Sequence, residues 1–389
     1  MAITNKEEGV WSIDQVYNKQ NQGSIWVFDE PAYFWTWGNN PYGTLGMNNR
    51  TQYSSPNQIG TASNWVSLVG SENVAGGVKD DGTLWLWGHN SNGQLGDSTN
   101  TTRSSPVQIP GTTWDGSNFR MGCSKQISLL KTDGTLWSWG YACYGRAGTP
   151  QTGCINISSP RQIPGTNWAS NFTHSRGGGA IKTDGTLWMW GIGTEGNLGQ
   201  NQSGPHSNGS YRSSPVQIPG TTWKQGCGNS GGCAAIKTDG TLWIWGRGAH
   251  GTGVNNKTQY SSPVQIPGTN WSTISNNGKQ KIATKTDGTL WMWGDNTNGE
   301  LGQNNRTHYS SPVQVPGTDW NINLRVGGFS THSFGIKTDG TLWAWGRGSH
   351  GQLGLNDRTS RSSPVQIPGT NYISAMSHSY NSSAIGKFT

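Results

Sequence analysis

Residues capable of chemistry are few and scattered in this sequence. Eight histidines occur among 389 residues, and they do not cluster at metal-ligand spacing. There is no phosphate-cradling P-loop, no GxSxG nucleophile elbow and no HExxH pair. His250 and His350 each precede a glycine in a recurring GxLG-like segment, and His89 lies near the equivalent place, so these three read as turn residues. Cysteine gives an odd count of five. Cys143 and Cys154 bracket the irregular stretch YGRAGTPQTG, and Cys227 and Cys233 bracket GNSGG, so each pair is a candidate local disulfide with Cys123 left over. Free thiols are the alternative and fit a reducing compartment. Zinc would want CxxC pairs or partnering histidines, which are missing. The expectation is a protein with no catalytic residues, no cofactor and no metal, and therefore not an enzyme.

Recognition is better supplied. The net charge is +7 and arises more from scarce acids than from basic runs. Six cations stand just before a recurring Ser-Ser-Pro: Arg50, Arg103, Arg212, Lys257, Arg306 and Arg361. Repetition would place them on one face or rim, where they either bond local carbonyls or meet an acidic partner. No dense Lys/Arg patch exists, so nucleic acid is not the expected partner. Two irregular loops, 141–154 and 200–212, carry Tyr141, Tyr144 and Tyr211, aromatics suited to stacking on sugars of a host-surface glycan or to a protein contact. Six lysines precede Asp-Gly, for example Lys131 and Lys337, and the adjacent Asp is expected to cancel each charge.

The elements that must position these residues are set by composition and period. The chain holds 59 Gly and 22 Trp, yet only 31% hydrophobic and 12% charged residues. That is too poor in helix formers for a helical protein and too aromatic for disorder. No apolar run reaches the length of a spanning helix, so no membrane insertion is expected, and the start MAITNKEEGV lacks the apolar stretch of a secretion signal. The string WxWG begins at Trp35, Trp85, Trp137, Trp188, Trp243, Trp291 and Trp343, in steps of 50, 52, 51, 55, 48 and 52 residues. Six copies follow DGTL, most precede GxLG, and all are followed by Ser-Ser-Pro and then PGTxW or a relative. Asp-Gly between two apolar runs signals a hairpin. Tryptophans two apart share one face of a strand. About four strands per 50 residues is the size of a propeller blade, and closing a ring removes the raw edges of an open stack. The first WxWG has no AIKTDG half before it, whereas the last unit ends in SSAIGK with no WxWG after it. Residues 384–387 are therefore expected to pair with 33–37 and close seven blades. This lattice absorbs every tryptophan except Trp11 and Trp26.

The pattern DGTLWxWG…GxLG…SSPVQIPG resembles the regulator-of-chromosome-condensation repeat over residues 33–389, which implies an all-β, seven-bladed β-propeller and says little about function. Members of that family include a nucleotide-exchange factor, a photoreceptor and an enzyme inhibitor. The exchange factor's long wedge insertion and the photoreceptor's GWRHT motifs are absent here. Residues 1–32 form a separate arm in this reading. Gly9 to Tyr17, GVWSIDQVY, followed by Trp26, resembles a segment of structural proteins of marine tailed phages. Ser12 and Gln15 fit a capping box, with Trp11 and Val16 as its hydrophobic staple. The resemblance implies a virion structural protein, a head-decoration, neck or tail-fibre module assembled in the host cytoplasm. It would dock on other virion proteins through Trp11, Ile13, Val16, Tyr17 and Trp26, as a monomer or a homo-oligomer. The alternative is a cellular or secreted propeller of the same repeat family that binds a protein partner, and in the cytoplasm this would be a soluble binding module.

Overall fold

The structure is a computed structural model that describes residues 31–116, 120–121, 125–150, 153–202, 211–228, 232–247, 253–255, 258–277, 279–321, 331–378 and 380–387. The arm residues Trp11, Ile13, Val16, Tyr17 and Trp26, with the capping box around them, lie outside the described residues, as do Lys257 and Cys123. Residues 32–388 form one compact unit.

That unit is all-β, with seven sheets among the described residues, antiparallel but for a short parallel pair of Val69–Gly70 with Arg120–Met121. Blade 4 shows the plan. An inner strand Trp168–His174 pairs with Gly177–Lys182, that with Leu187–Ile192, and that with the outer strand Tyr211–Ile218. The hairpin between the second and third strands is tighter in chemistry than Asp-Gly alone suggests. Gly185 N–H bonds Lys182 C=O at 2.9 Å and Gly185 alone takes positive φ (+77°), so Thr183-Asp184-Gly185 is a three-residue loop rather than a two-residue turn with two left-handed positions.

Ring closure joins the expected ends of the chain, with the ladder over 381–386 rather than 384–387 and Lys387 beyond it. Tyr33–Gly38 pairs antiparallel with Asn381–Gly386, Tyr33 opposite Gly386 and Trp37 opposite Ser382. Blade 1 thus takes its two inner strands, Tyr372–Ser377 and Asn381–Gly386, from the end of the chain, and its outer pair, Tyr33–Gly38 and Tyr53–Gln58, from the start. Apolar clusters fill every seam between neighbouring blades: Phe34 with Trp87, Leu86 with Trp139, Leu136 with Trp190, Leu187 with Trp245, Leu242 with Trp293, and one continuous cluster from Leu290 through Trp345 to Trp37.

The WxWG tryptophans share a face but not a role. The second of each pair is fully buried, while the first is only partly covered. The buried indole reaches into the preceding blade. Trp37, Trp87, Trp139, Trp190, Trp245 and Trp345 each donate Nε1–H to a backbone carbonyl at the variable position of GxLG, at 2.7–3.0 Å. The closing Gly of GxLG sits flat on that indole: a Cβ on Gly46 would lie 2.8 Å from Trp87 Nε1. WxWG and GxLG are therefore two halves of one inter-blade joint.

Candidate recognition site

Strand direction gives the ring two unlike faces. Inner strands begin and outer strands end on one face, which also carries the Asp-Gly hairpins; the other carries the long GxLG loops between third and outer strands.

The hairpin face repeats one device six times. In Asp184-Gly-Thr186-Leu-Trp188, Asp184 Oδ1 accepts from Thr186 N–H and Oγ1–H, and Thr186 Oγ1 accepts from Trp188 Nε1–H at 2.9 Å. Asp81, Asp133, Asp239, Asp287 and Asp339 do the same. These hydrogen bonds hold each carboxyl below its ordinary range, the threonine hydroxyl being the largest cause. The lysines depart from expectation. Instead of being paired off against the adjacent Asp, each lies between two tryptophans, its Nζ 4.1–4.9 Å from the first Trp of WxWG and 4.9–5.6 Å from the PGTxW Trp. Strand register decides this: the lysine ends the second strand directly beside both rings, where the cation–π attraction holds it. A groove of about 410 Å³ between blades 4 and 5 is lined by Ile218, Trp223, Lys237 and Trp243, so the lysine already occupies its aromatic walls. Uniform repetition marks this face as scaffold.

The GxLG face is where units differ. The residue before the first Gly of that motif is Tyr42, Asn92, Tyr144, Glu195, Asn298 or His350. Tyr42 packs on His89 at 4.5 Å, and His350 on Tyr380 at 5.0 Å. Tyr144 and Tyr211, brought together from blades 3 and 4, form an open corner, with centroids 6.4 Å apart and planes at 68°. They are 44% and 41% exposed. The corner is built rather than draped. Tyr144 has φ +56°, a left-handed conformation that an aromatic residue rarely takes, and lies within the 3-10 turn Cys143–Gly145. The Cys143–Cys154 disulfide ties that turn to the start of the outer strand. Arg146 C=O accepts from Gln126 Nε2 at 2.7 Å and Trp190 Nε1 at 3.0 Å. Arg212 flanks the corner, donating to Gln202 Oε1 at 3.0 Å. Tyr141, expected beside them, is different: Arg146 lies 5.0 Å and Lys125 6.0 Å from its ring centroid.

The five described cations occupy two different positions of the repeat. Arg103, Arg212 and Arg361 start outer strands and are held by Asp97, Gln202 and Asp357. Arg50 and Arg306 stand three residues earlier in their units, exposed and without an ion pair among the described residues. The second cysteine pair is also corrected. Cys227 and Cys233 are free and buried. Register puts Cys227 opposite Ala234, facing blade 6, while Cys233 faces blade 4, so the sheet itself separates the two sulfurs. Burial pushes both thiols well above their ordinary value, Cys227 to about 12, making them inert. Sequence reasoning missed three buried histidines, His174, His332 and His378, each standing at a position that varies between units. Among the described residues no group of His, Cys, Asp or Glu could hold a metal.

Comparison with known proteins accounts for the repeats. The family model described as the regulator of chromosome condensation (RCC1) repeat matches residues 81–120, 287–328 and 339–385. These are RCC1 repeats. The RCC1-repeat ring superimposes on solved propellers: yeast (Saccharomyces cerevisiae) Prp20p, with TM-score 0.80 at 17% identity, covering 95% of each chain, and human WBSCR16, with TM-score 0.77 at 18% identity, covering 92% of this chain and 99% of that one. Yeast RCC1 (Prp20) bound to Kap60 gives TM-score 0.77 at 17% identity, over 95% and 92%. At these identities the likeness concerns the fold.

Proposed function

We propose that this chain is a non-catalytic recognition module that presents the GxLG face of a rigid RCC1-repeat ring to a macromolecular partner. The observation that carries this is the asymmetry of the two faces: the hairpin face repeats one self-satisfied device, while exposed aromatics and departures from the repeat gather on the other. The buried polar groups of the ring serve the scaffold, and the similar yeast propeller is described for its binding to Gsp1p and histones. The finer reading is a structural subunit of a tailed-phage particle, docked through Trp11, Ile13, Val16, Tyr17 and Trp26. Its support is the GVWSIDQVY segment and Trp26. The test is incorporation. A tagged chain lacking residues 1–30 should fold and purify as a ring but be absent from gradient-purified particles that carry the full chain. Equal incorporation of both forms sinks the particle reading.

A further inference from the structure

We infer that the Tyr144–Tyr211 corner binds an acidic polysaccharide, one whose sugar rings carry carboxylates. This rests on the recognition reading above and names its ligand. Three observations converge. The two exposed rings meet at 68° with centroids 6.4 Å apart, a corner that can take the C–H face of a pyranose on one wall and its edge on the other. The corner is stiff, because the left-handed Tyr144 backbone, the Cys143–Cys154 bridge and the double acceptance by Arg146 C=O fix it before any ligand arrives, which lowers the entropy cost of binding. Arg212 lies beside it, held by Gln202 Oε1 at 3.0 Å and Tyr211 C=O at 3.1 Å, and brings a fixed positive charge to the rim of the corner.

Charge distribution sets the sign of the ligand. On the hairpin face every repeat lysine is sandwiched between tryptophans and accompanied by a carboxylate two residues on. On the GxLG face Arg50, Arg306 and Arg358 are exposed and have no ion pair among the described residues. Each belongs to a different blade from the corner, so a long chain with spaced charges can meet several of them, whereas a nucleic acid, with its dense phosphates, would ask for a continuous basic track.

The full chain should retard on affinity gels containing polygalacturonate and not on gels containing dextran, a neutral glucan. The Tyr144→Ala/Tyr211→Ala variant should lose at least tenfold in affinity at unchanged melting temperature. Arg50→Glu/Arg306→Glu should weaken binding and flatten its salt dependence. A hairpin-face control, Asp80→Ala, should bind as the parent does. Equal retardation by dextran, no retardation by polygalacturonate at low salt, or duplex DNA bound more tightly than polygalacturonate and indifferently to the tyrosines would each overturn the inference. Failure here with intact particle incorporation would discard the glycan and leave the recognition module standing. If the double variant is unstable, reduction of the parent disulfide supplies the second readout: it should lower polygalacturonate affinity, and an unchanged affinity counts against a preorganised corner.

Discussion

At the scale of single residues, the joint between WxWG and GxLG is the most demanding contact in the molecule. Gly46 has φ +72° and would place a Cβ 2.8 Å from Trp87 Nε1. Gly60 has φ +56° and nothing within 4 Å. Gly46→Ala should therefore cost about 3 kcal/mol, left-handed strain plus overlap with a fixed indole, and Gly60→Ala about 1 kcal/mol, strain alone. Urea unfolding of the two variants separates the contributions; equal losses would mean the indole moves aside. Glu300 invites the opposite change. It occupies a place held by Gln94 and Gln352 in other units, and burial pushes its carboxyl above the ordinary value. A raised carboxyl contributes stability that is lost as pH rises through its folded value. Glu300→Gln should stabilise the ring at pH 7 by roughly 1 kcal/mol and have little effect near pH 4, measured by thermal melts at both. The WxWG and GxLG strings were plain in the sequence, but their union was not. The hydrogen bond joins residues 43–48 apart in five joints and spans the chain ends in the sixth, and no local period reports a contact between blades. The lysines were misjudged for a related reason: sequence places Lys182 beside Asp184, whereas strand pairing places it over Trp168 and Trp188.

At the scale of elements, blade 1 is the point where the ring can open, and two of the buried histidines guard its seams. His332, on blade 7, bonds Ser382 of blade 1 at 2.7 Å. Because Ser382 Oγ donates to Gln352 C=O, His332 Nε2 carries the proton. His378, on blade 1, donates Nδ1–H to Ser71 C=O of blade 2 at 2.9 Å and accepts at Nε2 from Ser383. Burial pushes His332 down to about 3 and His378 down to about 4 from 6.5, and it lowers His174 to about 3 with help from Arg146 and Arg176. A histidine depressed in the folded state binds protons more readily when unfolded, so its stabilising share is complete above 6.5 and falls as pH drops toward 4 and 3. The hairpin aspartates, also depressed, extend the loss below their unfolded value of 3.8. Melting temperature should fall steadily from pH 7 to pH 3.5. His378→Gln should flatten the part of that slope between 6.5 and 4, and a parallel slope would show that the seam does not govern acid lability. The blade itself was legible, because AIK at one end of the chain and WxWG at the other are two halves of one unit. The histidines were not, since each is a one-off substitution whose burial only the assembled seam creates.

At the scale of the whole molecule, stability depends on where the chain is cut as well as on what it contains. Natural closure interleaves the ends within one blade, so separating them requires breaking the six-residue ladder from Tyr33–Gly386 to Gly38–Asn381. Gly386, Lys387 and Phe34 match Lys182, Thr183 and Leu187 of blade 4, so Asp-Gly-Thr inserted between Lys387 and Phe34 should rebuild the missing hairpin, with the arm removed. New ends can then be opened at two exposed places. A cut between Asp133 and Gly134 puts Gln126–Leu130 at one end of the chain and Leu136–Tyr141 at the other, so their ladder closes blade 3, the same interleaved closure moved to another blade. A cut between Gly111 and Thr112 falls between blades 2 and 3, so no antiparallel ladder within a blade spans the new ends, and the ring is held shut by the seam packing of Leu86, Trp114 and Trp139, the Trp139–Gln94 bond and the short parallel pair of Val69–Gly70 with Arg120–Met121. The first permutant should unfold within about 1 kcal/mol of the parent. The second should be weaker by several kcal/mol and should unfold less cooperatively, because blades at a free seam can fray as repeats do in an open array. Urea titrations followed by tryptophan fluorescence distinguish them. Equal stability of the two would mean that blade packing alone closes the ring and that the strand exchange between the chain ends adds nothing.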